Sequence, residues 1–62
     1  MTIKELAQNW IENDRTGDYS REITEEEART FIGYMDPDTL EALDEAITPE
    51  KLMLAWNEAV AD

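Results

Sequence analysis

The chain reads as an all-α domain of four short helices, at about 3–13, 25–35, 37–47 and 49–61. Helix-start signatures recur. Thr2 is followed by Glu5 and Thr24 by Glu27, the spacing of a capping box in which each side chain satisfies one of the other's free N–H groups. Asp36-Pro37 and Thr48-Pro49 each put a capping side chain before a proline, whose fixed φ and missing N–H suit the first helical turn. After each start, apolar residues return at helical spacing.

In the first helix Ile3, Leu6, Ala7, Trp10 and Ile11 form one stripe, with Lys4, Glu5, Gln8, Asn9 and Glu12 opposite. So small a domain needs every apolar face for its core. Residues 13–22, NDRTGDYSRE, form the one long connection. Asn13 and Gly17 suit a helix end or a turn, and Tyr19 is expected to pin the loop to the core.

In the second helix Ala28, Phe31, Ile32 and Met35 share a face. Ile23 precedes the Thr24 cap and faces Ala28 in a hydrophobic staple. Gly33 costs the helix roughly 1 kcal/mol relative to alanine, which points to close packing or an early end. The third helix carries Leu40, Leu43 and Ile47. The fourth carries Leu52, Ala55, Trp56, Ala59 and Val60, with Met53 flanking. Residues 24–48 are expected at the centre, with the outer helices closing over them. The expected core is Ile3, Leu6, Trp10, Ile11, Phe31, Ile32, Met35, Leu40, Leu43, Ile47, Leu52, Trp56 and Val60. Tyr34 and Leu54 fall off these faces.

Sixty-two residues make one domain. A chain of this length buries only ~60% of its unfolded surface, so its stability is marginal. It has no cysteine and no histidine. Disulfides, cysteine or histidine metal sites, cysteine nucleophiles and histidine acid–base catalysis are therefore excluded. The lack of cysteine and of any long apolar run fits the cytoplasm and a protein that does not enter membranes. No cofactor is expected.

The net charge is −11, and residues 30–62 hold one base against eight acids. Direct contact with nucleic acid or an anionic membrane needs lysine and arginine. The expected partner is instead a protein with a basic surface, bound by a monomer. Many acids sit at helix starts, where the macrodipole favours them. No nucleophile, base and orienting group can be assembled from the others, so no enzyme is expected.

Asp38, Glu41, Asp44 and Glu45 would line one side of the third helix, as neighbours at three- and four-residue spacing. Together with Tyr34 and Leu54 they make the candidate contact surface. The leading expectation is a non-enzymatic protein-binding module. The alternative is a nucleic-acid mimic that blocks a DNA- or RNA-binding enzyme. Small inhibitor proteins of phages and mobile elements work this way, and the chain is similar to them in size and charge only.

Residues 14–27 also resemble an EF-hand in outline. Counting from Asp14 puts Asp14, Thr16, Asp18, Ser20, Glu22 and Glu25 at the ligand positions. Tyr19 then replaces the glycine of the sharp turn, and Arg21 stands where an apolar residue is usual. Counting from Thr16 places Ile23 and Glu27 correctly but loses the first aspartate. A degenerate calcium-responsive module is thus a second alternative. Gly33-Tyr34 followed by Leu40 and Leu43 faintly resembles the glycine–aromatic turn of ubiquitin-associated domains. The methionine usual before that glycine is missing, and the glycine falls inside a helix, so that resemblance is set aside.

Overall fold

A computed structural model describes every residue except Arg15, Asp18 and Asp62. It contains four helices: α1 (Ile3–Glu12), α2 (Glu25–Tyr34), α3 (Pro37–Glu41) and α4 (Pro49–Ala61). No strand occurs among the described residues.

The start signals act as their chemistry dictates. The Thr2 hydroxyl accepts from the Glu5 N–H at 3.1 Å, and the Glu5 carboxylate accepts from the Thr2 N–H at 3.2 Å. Thr24 and Glu27 repeat this reciprocal pair at 3.2 and 3.1 Å. The Thr48 hydroxyl accepts from the Lys51 N–H at the start of α4. Asp36 holds the cap position before Pro37 with extended backbone, but its side chain makes no capping bond. At the far end of α1, the Asn13 backbone N–H and side-chain amide both donate to the Asn9 carbonyl.

The centre of the fold is α4, not the 24–48 stretch. Helices α1 and α2 each pack on α4, so the last helix is the post around which the earlier ones stand. Leu52 and Trp56 on its inner face are fully buried. Around Trp56, one ring from each of α1 (Trp10), the 13–24 loop (Tyr19) and α2 (Phe31) forms a four-ring cluster. All six centroid distances lie between 5.2 and 6.3 Å, the range in which edge-to-face and tilted pairs are favourable. Tyr19 does pin the loop to the core.

Two side chains of α4 lock that loop further. The Trp56 indole Nε1–H donates to the carbonyls of Tyr19 (3.0 Å) and Arg21 (3.1 Å). The Asn57 side-chain amide accepts from the Ile23 N–H at 2.8 Å and donates to the Ile23 carbonyl at 3.3 Å. A buried backbone segment outside regular structure needs such partners. Ile23 itself is buried, as are Ala7 and Ala28; all three were outside the expected core. At Ala7 and Ala28 the small side chain is enclosed completely.

Of the expected core, Ile3, Leu6, Met35, Leu52 and Trp56 are buried. The other eight are half-buried and pack against that cluster. Gly33 needs no close approach: a Cβ there would meet nothing within 4 Å. Gly17 adopts φ +81°, the left-handed region that glycine enters without strain.

The largest departure from expectation is α3, which stops at Glu41 rather than near 47. Its last turn tightens, with the Leu43 N–H donating to the Leu40 carbonyl. Beyond it, the groups that would continue the helix are taken by residue 1. The Asp44 N–H donates to the Met1 carbonyl at 2.9 Å, and the Met1 amino group donates to the Ala42 carbonyl at 3.0 Å. Tertiary hydrogen bonds replace the helical ones, and the chain runs irregularly to Thr48 while Leu40, Leu43 and Ile47 still pack on the core.

Candidate functional surface

The short α3 dissolves the expected row of carboxylates. Asp38 and Glu41 remain on the helix and exposed. Asp44 and Glu45 lie beyond it, and each has a cationic partner. Asp44 pairs with the Met1 amino group at 3.2 Å, and Glu45 pairs with Lys51 Nζ at 3.3 Å. These are exposed pairs, worth little in stability, but they halve the acid surface that the sequence suggested.

Tyr34 and Leu54 are both exposed, at 72% and 58%. They belong to different places. Tyr34 ends α2, and the exposed Asp36 and Asp38 follow it within one turn of chain. Leu54 lines an open groove of about 330 Å³ formed by the start of α1, residues 51–58 of α4 and Glu45. Ile3 and Ala55 line it together with Lys4, Glu58, Lys51 and Glu45. Its charged residues form cross-element ion pairs, Lys4–Glu58 at 3.1 Å and Lys51–Glu45. Tyr34 does not line this groove.

The 13–24 loop is organised by its own donors. The Asp14 carboxylate accepts from the Thr16 N–H (3.0 Å), the Thr16 hydroxyl (2.8 Å) and the Tyr19 N–H (2.6 Å). Partial burial would raise the Asp14 carboxyl, but these bonds and one from the Gly17 N–H hold it below the ordinary carboxylate value. Both Asp14 oxygens face the loop's N–H and O–H groups, the arrangement of an Asx turn. Asp18, a ligand position in the EF-hand comparison, lies outside the described residues. Among the described residues no three acids converge where a metal ion could be held.

Glu27 is the other perturbed acid. Its hydrogen bond from Arg21 at 2.6 Å, then that from the Thr24 N–H, lower its carboxyl from the ordinary value. The cap of α2, the loop and Arg21 are joined through this one carboxylate. The hydrogen bonds to Asp14 organise the loop, and those to Glu27 tie the α2 cap to Arg21.

Among the described residues no helix is long and apolar enough to cross a membrane. No family model, curated protein or solved structure matches the chain.

Proposed function

We propose that the domain is a non-enzymatic protein-binding module of the cytoplasm, and that its contact surface is the α2–α3 corner: Tyr34, Asp36, Asp38 and Glu41. The observation that carries the reading is an aromatic ring exposed by 72% and followed along the chain by exposed acids, with no base within residues 30–50. Exposed aromatics are over-represented at the energetic centres of interfaces. The surrounding charge selects a basic partner and speeds its approach. Asp44, Glu45 and Leu54, expected in this surface from the sequence, belong to the ion pairs and the groove described above.

The second reading is a nucleic-acid mimic, favoured by the −11 charge alone. The two differ in what displaces the partner. The test is capture of partners from lysate on the immobilised domain, treated with nuclease, with wild type compared against Tyr34→Ala and Asp38→Lys/Glu41→Lys. The proposal expects a partner held by wild type, weakened at least tenfold by either variant and unaffected by added DNA. A partner displaced by DNA or RNA, with affinity falling steeply in salt, supports the mimic. Capture that ignores both variants overturns the assignment of the surface.

A further inference from the structure

The segment after α3 is helical in its sequence and irregular in its path. Between Pro37 and Pro49 it contains no glycine and no further proline. Glu41, Ala42, Leu43, Glu45 and Ala46 are good helix formers. Leu40, Leu43 and Ile47 repeat at helical spacing. Ala42 still has helical backbone angles, φ −73° and ψ −12°. Yet α3 stops at Glu41.

The backbone of residue 1 occupies the atoms that a longer helix would use. In a continued helix the Asp44 N–H would donate to the Leu40 carbonyl, and the Ala42 carbonyl would accept from the Ala46 N–H. Instead the Asp44 N–H donates to the Met1 carbonyl at 2.9 Å. The Met1 nitrogen donates to the Ala42 carbonyl at 3.0 Å and to the Asp44 carboxylate at 3.2 Å. Both bonds from the Met1 nitrogen are exposed, so water competes for them.

We propose that residue 1 is a latch on a latent helix. With Met1 docked, the segment 42–47 is irregular. With Met1 released, α3 extends from Glu41 to about residue 47. Thr48 before Pro49 ends the extension, because proline disfavours helical backbone in the residue ahead of it. Both states bury the same stripe, Leu40, Leu43 and Ile47, which already packs against the core.

The two states differ in the surface they present. Docked, Asp44 lies beyond the helix and is paired with the Met1 amino group. Released, Asp38, Glu41, Asp44 and Glu45 stand within about 120° of one another around a single helix, and Asp44 loses its cationic partner. The latch thus decides whether the chain carries a row of carboxylates on α3. This switch operates within the domain and does not rest on Tyr34 or on any partner.

The test compares the full chain with a synthetic chain that begins at Thr2. The readouts are backbone carbon chemical shifts of residues 42–47 and far-ultraviolet circular dichroism. The shortened chain should show helical shifts through residue 47 and a gain of about one and a half turns of helix. Asp44→Ala in the full chain removes the carboxylate that holds the Met1 nitrogen and favours helix, so it should move the same shifts part of the way. Ala46→Gly in the shortened chain should reverse most of the gain, because glycine is unfavourable in a helix interior. Non-helical shifts at 42–47 in the shortened chain overturn the proposal, whether the segment keeps its present path or loses order. Unmoved shifts in Asp44→Ala overturn it as well.

Discussion

Helix α4 and the segment that follows α2 carry apolar periodicity of similar quality, yet they fold differently. In 49–61 the stripe Leu52, Trp56 and Val60 runs along an unbroken helix. In 37–47 the stripe Leu40, Leu43 and Ile47 outlasts its helix, which ends at Glu41. Both sets of side chains reach the core. The difference lies in the backbone donors and acceptors. Those of α4 find partners within the helix, whereas Ala42 and Asp44 find theirs on Met1. Periodicity reports which side chains are inside, and the path between them is settled by hydrogen bonds to residues far away in the chain.

The comparison is broken most severely at Trp56. Trp56→Ala removes the centre of the ring cluster and two indole hydrogen bonds, at an expected cost of ~3–5 kcal/mol for the ring alone. For so small a domain this leaves little or no folded protein at 25 °C, read by circular dichroism. Retention of a native melting curve would show that α4 is not the post. Asn57→Ala is next. It leaves the Ile23 N–H and carbonyl without partners beneath the loop, costing about 1–3 kcal/mol by thermal denaturation.

Asp14 sharpens the contrast between the pinned loop and the freer 42–48 segment. Its carboxyl is lowered in the folded state, so the stability it contributes is present above the unfolded value of ~3.9 and is lost as pH falls through the folded one. Asp14→Ala should therefore melt below wild type at pH 7, and the gap should narrow in melts taken below about pH 4. Glu27 titrates in the same direction and adds to the acid sensitivity of wild type.

The smallest effect is the most discriminating for α3. Glycine for alanine in a helix interior costs about 1 kcal/mol. Ala46 is exposed and lies outside any helix, so Ala46→Gly should stay within ~0.5 kcal/mol of wild type. A full helical penalty there would restore the longer helix.

What was legible in the sequence was mostly local. Thr2 with Glu5, Thr24 with Glu27, and Thr48 before Pro49 located the starts of α1, α2 and α4, because a cap is a contract between residues three apart. Asn13 ended α1 for the same kind of reason. Tyr19 could be read as a pin because an aromatic in a polar loop of a small domain has few other places to go.

The features that were not legible depend on distant partners. Asn57 holds Ile23 across 34 residues of sequence, and nothing in its own neighbourhood marks it. Ala7 and Ala28 are wholly enclosed, which a small apolar side chain permits but does not announce. The acidic row failed in the same way. Asp44 and Glu45 were placed by helical spacing, and spacing carries no information about Met1 or Lys51. Tyr34 and Leu54 were found correctly as exposed, since both lie off the apolar stripes.

Helix α4 holds the long loop through the Trp56 indole. Hydrogen exchange at the two indole N–H groups tests it most directly, with Trp10 as the internal reference. The Trp56 Nε1–H should exchange only through global unfolding, at the rate of the most protected core amides, and the Trp10 group should exchange faster. A Trp56 indole exchanging as freely as an exposed one would contradict the architecture described here.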